Sequence, residues 1–66
     1  MKNRIRVARA EVRMTQQHLA DEAGVSRQTI NAIESGRFVP STVLALKIAR
    51  IFSRPVEELF QLDDED

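Results

Sequence analysis

Cysteine is absent from the 66-residue sequence. Neither a disulfide framework nor a thiolate metal site can then supplement the core, so stabilisation must come from packing or from a partner chain. Glycine and proline are scarce, two of each, which excludes a low-complexity or linker-rich chain and describes a compact helical globule. No apolar run approaches the roughly 20 residues a membrane span requires. The basic opening Met1-Lys2-Asn3-Arg4 leads into no apolar signal stretch. The expectation is a cytoplasmic, nucleoid-associated protein without membrane contact. The length has room for a single domain, residues 1–66, of a size that buries only about 60% of the surface its unfolded chain exposes. So small a core favours an oligomer.

The formal net charge is zero, but its distribution is polar. Up to residue 56, ten basic side chains face only Glu11, Asp21, Glu22 and Glu34, and the other six carboxylates all lie in the last ten residues. A basic body attracts phosphates regardless of sequence, and a negative end keeps the opposite side off a duplex. The alternative is a solvated tail that only aids solubility.

Apolar residues recur at helical spacing, and each break carries a capping or turn residue, which predicts five short helices. The first runs from about Arg4 to Arg13, with Ile5, Ala8 and Val12 on its inner stripe. Thr15 caps the second, Gln16 to Ala23, which Gly24 ends; Ser26 caps the third, Arg27 to about Ser35, followed by Gly36. Arg37-Phe38-Val39-Pro40 reads as extended, because proline disfavours helix in the residue before it. Ser41 caps the fourth helix, Thr42 to about Ser53, and Pro55 opens a fifth that ends near Phe60.

The stretch Gln16 to Glu34 is the most specific signal. Two helices crossing steeply over a short turn need a small contact residue, a turn glycine and aliphatic residues on both inner faces. Ala20, Gly24 and the set Leu19, Ala23, Val25, Ile30 and Ile33 meet those demands at the spacing of a helix-turn-helix. The run Met14-Thr15-Gln16 … Leu19-Ala20 … Gly24-Val25-Ser26-Arg27-Gln28-Thr29-Ile30 … Ile33-Glu34-Ser35-Gly36-Arg37 … Pro40-Ser41 resembles the lambda-repressor-like, Cro/cI-type (Xre) DNA-binding domain over essentially the whole chain. The resemblance implies an all-α, five-helix lambda-repressor-like fold with the helix-turn-helix at helices 2 and 3. It is nearest to small stand-alone members, among them a cytolysin-repressor-type subgroup in which a short C-terminal strand pairs with the N-terminus and subunits dimerise. Arg13, where a glycine often closes helix 1, and Ala8, where a larger leucine is usual, depart from the family pattern.

At about 100° per residue, helix 3 turns Ile30, Ile33 and Glu34 one way and Gln28, Asn31, Ala32 and Ser35 the other. The outward side is polar without dense charge, which suits readout of base edges better than phosphate attraction. Ser26, Arg27, Gln28, Thr29 and Asn31 are the candidate base readers, and Thr15, Gln16, Ser35 and Arg37 the candidate phosphate contacts. The competing view of each is an ordinary solvated helix face. Glu34 would repel phosphate unless turned away and neutralised, and the resemblance implies Arg9 as its partner in a structural clamp.

Helix 4 is apolar almost all round. Ala45, Leu46, Ala49 and Phe52 are expected on the core, whereas Leu44, Ile48 and Ile51, continued by Phe60 and Leu62, are expected to form a twofold homodimer interface. Folding of helix 5 back over that stripe is the alternative. His18, Asp21 and Glu22 share one side of helix 2, where a solvated His18–Glu22 pair is favoured over a weak metal site. No nucleophile–base pair, phosphate loop, cofactor site or small-molecule effector site is legible, so no enzyme is expected. The expected function is sequence-specific double-stranded DNA binding by a dimeric transcriptional regulator, most simply a repressor on an inverted-repeat operator. The rival is a protein-interaction module, an antitoxin or anti-repressor, with DNA binding secondary.

Overall fold

A computed structural model describes residues 1–66. In chain order the elements are β1 (Lys2–Asn3), α1 (Ile5–Glu11), α2 (Gln16–Ala23), α3 (Arg27–Glu34), α4 (Thr42–Phe52), α5 (Val56–Leu59) and β2 (Phe60–Gln61). This is the lambda-repressor-like arrangement of five helices, with one addition: β1 and β2 pair antiparallel, Lys2 opposite Gln61 and Asn3 opposite Phe60. The pairing matches the terminal strands that the resemblance implied.

Local chemistry sets the helix boundaries. The hydroxyls of Thr15, Ser26 and Ser41 accept the N–H groups of His18, Thr29 and Leu44 at 3.0, 3.1 and 3.1 Å, the N-caps that the sequence predicts. Gly24 and Gly36 take φ of +74° and +81°, the left-handed conformation that lets the chain turn out of α2 and α3 without steric penalty. Arg13 does the same without that advantage, at φ +55°, so α1 closes two residues earlier than expected, at Glu11. α1 begins on an unusual cap, since Asn3 Oδ1 in the strand accepts the Ile5 N–H at 3.3 Å.

One cluster forms the core: Ile5 and Ala8 from α1, Leu19, Ala20 and Ala23 from α2, Ile30 and Ile33 from α3, Ile48 and Ala49 from α4, then Leu59 and Phe60. Val25 packs on its margin. Four expectations fail. Val12 is 56% exposed, because the helix has already ended and the residue no longer lies on the inner stripe. Leu46, expected inside, is 54% exposed, and Ile48, expected at a dimer interface, has no exposed surface. The face α4 turns inward is centred on Ile48, with Leu44, Ala45, Ile51 and Phe52 on either side of it; Leu46 lies about 160° round. Apart from Leu46, the two stripes expected from the sequence are thus halves of one face. Phe60 also belongs to the core of the chain, at 9% exposure, because the strand pairing folds α5 and β2 back onto α4 and carries Leu59 with it.

The acidic tail is partly tied down. Asp63 and Asp66 approach the Met1 amino group at 2.8 and 3.1 Å, while Asp64 and Glu65 are exposed.

Candidate nucleic-acid interface

α2 and α3 meet across Gly24-Val25-Ser26, where the Val25 N–H donates to the Ala20 carbonyl at 3.0 Å and closes the turn. Leu19, Ala20 and Ala23 pack against Ile30 and Ile33, which fixes the rotation of α3 about its own axis. The opposite side carries Arg27, Gln28, Asn31 and Ser35, all exposed, with Thr29 and Ala32 partly covered between them. Gln28, Asn31, Ala32 and Ser35 are the residues whose helical angles pointed outward in the sequence.

Not every candidate reader is equally free. The Ser26 hydroxyl caps α3 and lies 3.0 Å from Thr29 Oγ1, so these two side chains occupy each other. Arg27 and Gln28 carry no side-chain hydrogen bond within the protein and keep their full donor and acceptor capacity. Of the candidate phosphate contacts, Thr15 caps α2 at the positive end of that helix. At the far end of α3, Arg37 donates through Nε to Ser35 Oγ at 3.0 Å, and Ser35 donates to the Ala32 carbonyl at 3.1 Å. That short chain holds an exposed guanidinium in the loop after α3, beside its outward face.

Gln16 is placed differently from expectation. Its Nε2 donates to Glu34 Oε1 at 3.2 Å and lies 3.4 Å from Asn31 Oδ1, so it joins the two helices rather than standing free.

Glu34 is the hub of that junction. Arg9 donates to it through two nitrogens, Nε to Oε2 at 2.6 Å and Nη2 to Oε1 at 3.1 Å, in the side-by-side geometry that makes arginine–carboxylate pairs strong. The third Arg9 nitrogen, Nη1, donates to the Met14 carbonyl at 2.9 Å and fixes the loop between α1 and α2. The Glu34 side chain has no solvent exposure. Burial alone would push its carboxyl up, but hydrogen bonds from Arg9, Gln16 and Arg6 and the Arg9 charge outweigh it and hold the group below its ordinary value of 4.5. The charge is therefore retained but spent inside the protein, and the outward face of α3 is spared an anion.

Sequence reasoning missed two contributors. Arg6, one turn before Arg9, reaches Glu34 Oε1 at 3.4 Å; the three-residue spacing that puts both on one side of α1 was the available signal. Asn3 donates through Nδ2 to the Ile33 carbonyl at 2.8 Å and so anchors the last turn of α3 to β1. Nothing in the sequence pointed to that contact, whose partners are 30 residues apart. On α2, His18 Nε2 lies 3.4 Å from Glu22, the expected helical pair, and Asp21 instead accepts from Gln17 at 2.8 Å.

The chain matches the helix-turn-helix family model over residues 5–59. It is 50% identical to an uncharacterized HTH-type transcriptional regulator of Archaeoglobus fulgidus, over the whole of this chain and 94% of that protein. Two further proteins of the same description, from Bacillus subtilis and Methanocaldococcus jannaschii, are 46% and 47% identical over the whole of both chains. The outward polar face of α3, the capped turn before it and the likeness along the full chain agree, and the protein belongs to the helix-turn-helix family.

Proposed function

We propose that the protein is a sequence-specific, double-stranded DNA-binding transcriptional regulator in which α3 enters the major groove. The observation that carries this reading is the division of α3 into two sides: Ile30 and Ile33 buried, Glu34 neutralised by Arg9, and Arg27 and Gln28 unpaired beside an exposed Asn31, where they can meet base edges. Thr15, Ser35 and Arg37 flank that face as phosphate contacts.

The working form is a homodimer on an inverted repeat, because one recognition helix reads few base pairs and two copies about 34 Å apart share one face of the duplex. Repression by promoter occlusion is the simplest action for a helix-turn-helix domain, working in the cytoplasm on the nucleoid. The paired terminal strands support the cytolysin-repressor-type subgroup. The dimer surface moves from the expected Ile48 and Phe60 to the apolar residues still exposed. Val43 and Leu46 are 66% and 54% exposed and line a shallow cleft with Lys47 and Arg50. Val39 and Leu62, at 60% and 74%, are the other candidates; Leu44 and Ile51 lie at the margin of the core.

The same α4 face favours the second reading, a protein-interaction module that masks a partner. Selection from a random duplex pool, with sedimentation of the free protein, separates the two. An enriched inverted repeat bound by a dimer supports the regulator, and enrichment of nothing would leave the interaction module.

A further inference from the structure

The outer face of α4 and the acidic turn at the end of the chain each lack a partner. Val43 and Leu46 remain exposed on α4 and share a shallow cleft with Lys47 and Arg50. Neither cation has a carboxylate within ion-pair distance in its own chain. The other cleft of the surface has Val7 as its one apolar residue, and its Arg54 already donates to Glu11 at 3.0 Å. At the end of the chain, the Asp66 N–H donates to the Asp63 carbonyl at 3.0 Å and the Asp63 N–H to Asp66 Oδ2 at 2.7 Å, which closes a turn. The Met1 amino group holds the carboxylates of both residues. Leu62, the most exposed large apolar side chain, thus leads into a held tip, Asp64 and Glu65, whose carboxylates meet no cation.

We propose that the α4 cleft receives the C-terminal turn of a second copy of this chain, with Leu62 between Val43 and Leu46 and with Asp64 and Glu65 on Lys47 and Arg50. The charges are opposite, two against two. The spacing agrees as well: Leu62 precedes Asp64 by two residues, at most about 7 Å, and one helical turn, about 6 Å, separates Val43 from Lys47 and Leu46 from Arg50. A turn already closed by its own hydrogen bonds and by the Met1 amino group loses little freedom on docking. Because each copy carries both halves, the contact is made twice about a twofold axis, which closes the assembly at two chains. The inference rests on the homodimer of the proposed function and names the segment that fills its surface. It also makes the acidic end of the chain an assembly element whose hold weakens as salt screens it.

The test is sedimentation of the full chain over a range of protein and salt concentrations. The wild type should be a dimer whose dissociation constant rises between about 0.05 and 0.5 M salt. Two double variants, Lys47→Glu with Arg50→Glu and Asp64→Lys with Glu65→Lys, each replace the ion pairs by like charges. Each alone should self-associate at least about tenfold more weakly, with its circular dichroism spectrum unchanged. An equimolar mixture of the two should recover a dimer of wild-type affinity, because in the mixed pair every contact is again between opposite charges. Variants that dimerise as tightly as the wild type, or a mixture no tighter than its components, would overturn the inference and leave a homodimer joined elsewhere. So would a wild-type dissociation constant indifferent to salt, a measurement that stands even if a variant folds poorly. Mass that grows beyond two chains with concentration would also overturn it, as the mark of an open head-to-tail contact. A wild type that stays monomeric would remove the proposed dimer and the inference with it, and would leave the α4 face to the interaction-module reading.

Discussion

Arg9→Met is the most informative single perturbation of the fold, because it removes both charge-assisted bonds from a carboxylate that has no exposure. Breaking a buried pair from one side costs about 3–5 kcal/mol. Gln16 and Arg6 still reach Glu34, at 3.2 and 3.4 Å, and their help lowers the expected loss to about 2–3 kcal/mol. For a domain of this size each kcal/mol moves Tm by about 4–8 °C, so a fall of roughly 10–20 °C is expected near neutral pH. The pH dependence distinguishes a lost ion pair from lost packing. In the wild type the folded pKa of Glu34 lies below the ordinary 4.5, so its contribution is present above that value and is lost as pH falls through the folded pKa. In Arg9→Met, burial is opposed only by the weaker donors and the folded pKa moves upward. The deficit of the variant should therefore shrink as pH falls from about 7 to about 3.5. Urea titrations of both proteins at several pH values and one fixed chain concentration measure this directly. A deficit below about 0.5 kcal/mol at neutral pH, the range of an exposed pair, would refute the buried clamp. So would a deficit that stays constant into acid.

Ile48→Glu should abolish cooperative unfolding, because it places a carboxylate at a fully buried position of a core that supplies only about 3–5 kcal/mol; a folded monomer by circular dichroism and sedimentation would return Ile48 to the interface. Leu46→Glu, on the exposed side of the same helix, should keep the melting profile of an isolated subunit but sediment at half the mass and lose operator affinity; a variant that remains dimeric and binds normally would refute the relocated surface. Arg13→Gly should raise stability by about 0.5–1 kcal/mol, since it relieves a left-handed backbone at φ +55°; an unchanged or lower denaturation midpoint would count against strain at that turn. Gln28→Ala should relax preference at one base pair, whereas Arg37→Ala should weaken binding to all duplexes and reduce the salt slope by about one; titrations on a selected and a scrambled duplex check both, and equal losses for Gln28→Ala would remove it from base reading.

The helices and their caps were legible because their causes are local. Thr15, Ser26 and Ser41 each bond a backbone N–H three residues on, and Gly24 and Gly36 supply the turns. The outward set on α3 was legible for the same reason, since its buried pair Ile30 and Ile33 fixes every other angle. α4 misled because almost every position is apolar and a stripe can be centred in more than one place. The polar markers were there: Val43, Leu46, Lys47 and Arg50 follow the three- and four-residue spacing of one face, so the two charges identify Val43 and Leu46 as outer residues. The terminal strands are only two residues each, too short for a period-two pattern to register, and they came from the resemblance alone. The Asn3 anchor and the Gln16 link depend on how α1, β1 and α2 are set against α3, which no local pattern encodes.

The β1–β2 pairing also divides the molecule in time. Lys2 meets Gln61 and Asn3 meets Phe60, so this contact closes nearly the whole chain into one loop and bears a large closure entropy. The α2–α3 unit joins neighbours in sequence and can form without waiting for that closure. A strand pair of two residues has little stability of its own, and it is held in place by Asn3 on the end of α3 and by Phe60 in the core. The expected order of folding is therefore from the helix-turn-helix outward to the termini. Local opening is expected to begin at the strand pair, with hydrogen exchange faster at β1 and β2 than in α2 and α3.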